Sequence, residues 1–204
     1  MKINEYINDG LFLSHHSNYY YYMSEESLLC EDAEAELSKI ETEARNDQGI
    51  ANDIIESYVL HVTLGLSTKR DKHLISTALF GCMYIEGLLN HYGTRRIGEQ
   101  FYMANIERMR PVEKASIIFE ICCEIEISDT LKKLIKNIFE FRNSLVHPKT
   151  KNVKFNDTGM IQDKILTYIS VSDILHDVNL ITDELCRMDP SMSKEVISDK
   201  RTIR

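Results

Sequence analysis

Glycine and proline are scarce in this chain, eight and three in 204 residues. So few breakers exclude a fold of many short strands and tight turns, and favour long helices. Tryptophan is absent. No apolar run approaches the roughly 20 residues of a membrane span. The best candidate, residues 73–85, is short and bounded by Lys72 and Glu86. No signal-peptide core follows Lys2. The cysteines (Cys30, Cys82, Cys122, Cys123 and Cys186) are odd in number and show no CxxC spacing. That argues against a disulfide framework or zinc site, and for reduced core thiols in a cytoplasmic protein. There is no GxxxxGK[ST] loop, GxGxxG turn, HExxH or GxSxG. The histidines, His15 and His16 included, lack metal-ligand spacing. No cofactor, metal or membrane partner is therefore expected.

What is present is apolar material: 43% of the chain, enough for a core. The length suits one domain with extensions. The net charge of −8 weighs against broad nucleic-acid binding, but its distribution is uneven. Residues 1–60 hold 13 acids against 3 bases, residues 61–154 hold 10 against 15, and residues 155–204 hold 9 against 6. A groove for a phosphate backbone would lie in the central, basic segment.

The expected fold is all-α, an up-and-down helical bundle with an N-terminal extension. Residues 1–24 read as an arm, 25–188 as the helical domain with its core at about 50–188, and 189–204 as a flexible tail. Within the arm, Tyr19 to Tyr22 suit a short strand or a packing contact better than base stacking. Ser24 or Ser27 reads as a helix cap before a helix to Asn46. Residues 51–66 read as a second helix, or as the same helix after a break at Gly49, and a further helix is expected over 70–92 with Gly93 as its stop. Thr94-Arg95-Arg96 reads as a basic connector. Pro111 opens another helix, and Ser128 or Asp129 caps one that runs to Val146 and is ended by Pro148. A Lys-rich loop with Lys149, Lys151 and Lys154 leads to a last helix over 158–188.

Two helices carry the same anomaly. On a helical wheel centred on Arg142, Leu131, Ile135, Ile138, Leu145 and Val146 all fall within about 60°. On a wheel centred on Glu86, Ile75, Leu79, Cys82 and Leu89 do so too, and Asn90 lies about 40° away. Charged groups are rarely placed on apolar stripes without partners. The economical inference is that Glu86 and Arg142 face each other or a shared cleft, with Asn90 nearby. A buried ion pair that merely fixes helix register explains the same pattern. Asn143 and His147, four apart, add polar groups at the end of the second helix. The negative helix end favours protonated His147. The Cys122-Cys123 pair sits in an apolar run and reads as core.

The segment Arg142-Asn143-Ser144-Leu145-Val146-His147 resembles the motif of the HEPN family, an Arg, a polar residue and a His after four to six positions. The Glu86-Gly87-Leu88-Leu89-Asn90 stretch is similar to the Glu-x-x-x-Asn helix of several bacterial HEPN groups. The resemblance covers roughly residues 50–188. It implies a homodimer whose two Arg/His motifs line one cleft. It also implies metal-independent RNA cleavage by 2′-OH attack, leaving a 2′,3′-cyclic phosphate. His147 would then act as general acid or base, Arg142 would stabilise the phosphorane, and Asn143 would orient His147 or the phosphate. Glu86 and Asn90 would hold Arg142. Lys149, Lys151, Lys154, Arg95 and Arg96 would bind the RNA backbone. Toxin or antiphage defence effectors of this class answer to an antitoxin or partner protein. Lys149 stands where some HEPN toxins carry a modifiable Tyr, so that control is not implied. Two other readings fit the same residues. One is a catalytically silent HEPN module that binds nucleotide, RNA or protein; the other is a helical interaction protein.

Overall fold

A chain so poor in breakers forms long helices, one of which runs through two expected interruptions, residues 67–69 and Gly93. A computed structural model describes residues 16–46, 52–146, 170–193 and 196. They form α1 (His16–Asn46), α2 (Asn52–Ile97), α3 (Glu99–Asn105), α4 (Pro111–Cys123), α5 (Asp129–Val146) and α6 (Val171–Met188), followed by a 3-10 turn (Pro190–Met192). Among the described residues there is no strand, and no helix is long and apolar enough to cross a membrane.

The spine is α2. Its 46 residues span about 69 Å. The helices expected over 51–66 and 70–92 are one helix, which continues past Gly93 to Ile97. Gly93 is therefore not a stop. A Cβ there would meet the Tyr102 ring at 2.5 and 2.8 Å and Ile118 at 3.0 Å. Glycine lets α2 seat a fully buried tyrosine against its backbone. Gly93→Ala gains up to about 1 kcal/mol of helix propensity. It loses about 1–3 kcal/mol by overpacking, because a buried ring cannot swing aside. We expect a net loss of about 1–2 kcal/mol in denaturant titration.

At the end of α2, Gly98 takes a φ of 95°, which side-chain-bearing residues rarely adopt. It turns the chain into α3, a helix absent from the expectations above. Pro111 stands at the first turn of α4 as expected. The Ser128 hydroxyl accepts the Leu131 N–H at 3.2 Å, which starts α5 where the sequence placed it.

The arm expected over 1–24 is helical from His16 onward. Tyr19 and Tyr20 lean inward: Tyr19 stacks on Phe80, and the Tyr20 hydroxyl donates to Asn179 Oδ1 of α6 at 3.1 Å. Tyr21 and Tyr22 are exposed. Ser24 is no cap; its hydroxyl bonds back to the Tyr20 carbonyl within the helix. Across the α1–α2 seam, buried His73 meets Glu26 at 2.6 Å.

The core lies where α1, α4, α5 and α6 converge on residues 74–92 of α2. Gly81 marks the junction of α2 with α1, α5 and α6, with Val178, Met23 and Ile138 all within 4 Å of where its Cβ would stand. Ser170 caps α6 by accepting the Asp173 N–H. Residues 147–169, which include the first part of the helix expected over 158–188, lie outside the described residues. The tail does not simply fray at 189. Asp189 is buried, its Oδ1 accepts the Ser191 N–H at 2.8 Å, and Met192 and Val196 pack into the core.

Candidate functional site

The apolar stripe of α5 follows the wheel over Leu131, Ile135 and Ile138, but Leu145 is half-buried and Val146 exposed. Leu131, Ile135, Ile138, Phe139 and Phe141 are buried. Arg142 emerges from that stripe one turn before the helix end, half-buried. Its guanidinium lies over the Phe139 ring, 5.6 Å from the centroid. It also stands close enough to Cys82 to draw that thiol's pKa down. Burial wins, and with the Glu86 charge it pushes the Cys82 thiol up to about 12. The Cys82 Sγ donates to the Ile138 carbonyl at 3.4 Å, one turn before Arg142. The thiol is thus neutral packing at the seam between α2 and α5 and has no nucleophilic character.

The expected Glu86–Arg142 ion pair is absent. Among the described residues Arg142 makes no ion pair at all. Glu86 instead faces Lys114 of α4, Oε1 to Nζ at 3.5 Å. Lys114 donates to Asn90 Oδ1 at 2.7 Å, and the Tyr102 hydroxyl donates to the same oxygen at 2.6 Å. Glu86 and Asn90 therefore converge, one turn apart on α2, but on a lysine rather than an arginine. The physical reason is competition: a fully buried ammonium needs a carboxylate more than a half-buried guanidinium does. Lys114 escaped the sequence reading. The wheel test that flagged Arg142 also flags it, because Ile118 and Cys122 lie one and two turns on along the same buried stripe of α4.

Of the remaining candidates, Asn143 is exposed on the last turn of α5. His147, Lys149, Lys151 and Lys154 lie outside the described residues. Arg95 is half-buried. Arg96 is buried and cannot serve a solvent-borne backbone as expected. It donates to the Cys122 carbonyl at 3.2 Å, stands 3.6 Å from Asp189 Oδ2 and lies over the Tyr92 ring. The sequence assigned Arg96 outward because Thr94-Arg95-Arg96 reads as a basic connector, whereas α2 runs through it to Ile97.

Asp189 also receives the Tyr92 hydroxyl. Burial acts to raise its carboxyl, but the Tyr92 and Ser191 hydrogen bonds and Arg96 outweigh it and hold the pKa below the usual value. Burial pushes the Cys122 thiol up to about 11. The vicinal cysteines are thus packing groups, Cys122 buried and Cys123 half-buried.

On α2, Ile75 and Met83 are 37% and 41% exposed, and on α5 Val146, one turn beyond Arg142, is 46% exposed; apolar residues scattered singly over a surface are ordinary. Among the described residues no cluster of His, Cys, Asp or Glu could hold a metal ion. No family model, curated protein or solved structure matches the chain.

Proposed function

We propose that the end of α5 is the phosphate-binding side of a metal-independent endoribonuclease of the HEPN kind, working as a homodimer in the cytoplasm. One observation carries this reading: Arg142 rises from an apolar stripe with a ring beneath it and, among the described residues, no ion pair to a carboxylate. A guanidinium left without an anion on a partly apolar surface is suited to a bidentate phosphate. A homodimer, as the resemblance implies, would bring two Arg142–His147 motifs into one cleft, and Val146 between the two motif residues is exposed.

The chemistry then runs on this chain's own groups. A ribose 2′-oxygen forms a bond to the adjacent phosphorus while the bond to the 5′-oxygen breaks. One His147 takes the 2′-OH proton and the partner's His147 gives a proton to the leaving 5′-oxygen. Arg142 stabilises the charge gathered on the phosphorane oxygens. Asn143 orients the imidazole or the phosphate, and Lys149, Lys151 and Lys154 hold the flanking backbone. A toxin or antiphage effector with a restraining partner protein is the role this activity suits.

The test is purified protein with end-labelled RNA in the presence of a chelator. Fragments ending in 2′,3′-cyclic phosphate and 5′-OH are expected, with His147→Ala abolishing them at unchanged dimer mass and thermal midpoint. An intact dimer that binds RNA without cutting it would leave the catalytically silent module as the better reading.

A further inference from the structure

We infer that Lys114 is a positioning residue: by holding Glu86 it keeps that carboxylate off Arg142 and leaves the guanidinium open to an anion. The inference deepens the proposed function and rests on Arg142 being the phosphate-binding group.

Lys114 is fully buried, yet its ammonium is spent on a carboxylate that is 39% exposed and on Asn90. A lysine placed there costs desolvation that an apolar residue would not, so its charge needs a purpose. Without Lys114, Glu86 has a partner waiting. Helical side chains lean toward the N-terminus of their own helix. In that direction Cys82 lies one turn before Glu86 on α2, and Ile138, whose carbonyl takes the Cys82 thiol, lies one turn before Arg142 on α5. Once released from Lys114, Glu86 would have the Cys82 seam and Arg142 in reach, and both charges already act on the Cys82 thiol. At contact distance in a partly buried setting, unit charges attract with several times thermal energy. A freed Glu86 would close on Arg142 and compete with phosphate for it. Asn90 and Tyr102 complete the arrangement. Tyr102 and Lys114 both donate to Asn90 Oδ1, which fixes the ammonium between α2, α3 and α4.

This differs from a merely structural lysine in a measurable way. In a structural role, Lys114→Met costs or gains stability, and Glu86→Gln has no reason to repair function. In a positioning role, Lys114→Met weakens anion binding and Glu86→Gln restores it.

Two measurements test it, one of which needs no RNA. The first is a double-mutant cycle of unfolding midpoints between Glu86→Gln and Arg142→Met, run in the wild-type and the Lys114→Met backgrounds. No coupling is expected in the wild type, and a clear coupling is expected once Lys114 is gone. Coupling already present in the wild type, or absent from both, overturns the inference. The second is binding of an uncleavable oligonucleotide with 2′-deoxy sugars. Lys114→Met should weaken it by about tenfold, and Lys114→Met/Glu86→Gln should regain most of that loss. If Lys114→Met does not fold, Lys114→Gln keeps a donor for Asn90 without the charge. If the coupling appears as expected but Arg142→Met leaves oligonucleotide binding unchanged, the hold on Glu86 stands and the phosphate reading of Arg142 falls.

Discussion

Arg142→Ala is expected to lower the proposed RNA cleavage by about 10²–10³-fold, the range found when one preorganised oxyanion donor is removed. The loss should fall on kcat more than on KM, because the phosphorane carries more charge than the ground-state phosphodiester. Arg142→Lys keeps the charge but loses the bidentate fork and the flat seat on Phe139, so it should recover only part of the rate. The substitution separates chemistry from packing. Arg142 has no ion pair to lose among the described residues, and its neighbours on α5 are apolar. Arg142→Met should therefore leave the thermal midpoint unchanged or raise it slightly, while cleavage still falls. Unimpaired cleavage by a folded Arg142→Ala protein would remove Arg142 from the reaction. A lowered midpoint in step with lost activity would instead make it a packing residue.

The second large effect concerns Asp189. Asp189→Ala is expected to destabilise the fold by about 2–4 kcal/mol, since it strips partners from several buried groups at once. The Tyr92 hydroxyl, the Ser191 N–H and the Arg96 guanidinium all use that carboxylate. The sign with pH follows from the direction of its pKa. The folded carboxyl lies below the ordinary value of about 3.9, because Tyr92, Ser191 and Arg96 outweigh the opposing effect of burial. Its contribution is therefore full above about pH 4 and is lost as pH falls through the lower, folded value. Denaturant midpoints of the wild type and Asp189→Ala should differ most near neutrality and draw together in strong acid. A gap that stayed constant down to pH 2 would show that the carboxylate charge is not what holds the C-terminal segment.

Helical class, the start of α4 at Pro111 and the span of α5 were legible because each rests on local chemistry: scarce breakers, a proline at a first turn, a serine cap and an apolar stripe. Gly93 misled because glycine has two uses, stopping a helix and letting a ring approach it, and only the position of Tyr102 decides between them. The tyrosine run was legible in part, since the packing contact expected of it is made by Tyr19 and Tyr20. Four identical residues have no polarity pattern, so nothing in them distinguishes the inward Tyr19 and Tyr20 from the outward Tyr21 and Tyr22. The polar site was half legible. Wheels show which charges stand on apolar stripes, but not which stripes meet. Glu86 was correctly seen to need a cation, and Arg142 was the wrong one because α4 lies beside α2 with Lys114 on its buried side.

The Tyr20–Asn179 hydrogen bond joins positions 159 residues apart. Read as a timetable, it orders the events of synthesis. The hairpin of α1 and α2 can form while the chain is still growing, since its partners are near neighbours in sequence. The face of α2 that α6 covers stays open until residues 171–188 have left the ribosome, and the Asp189 clamp follows last. A protein that cuts RNA would be made beside the densest RNA in the cell. Here the helix that completes the packing around Gly81, next to Cys82 and the Arg142 seam, emerges after the other helices that meet there. The proposed site is thus left unfinished until α1, α2 and α5 have all been made and α6 has joined them.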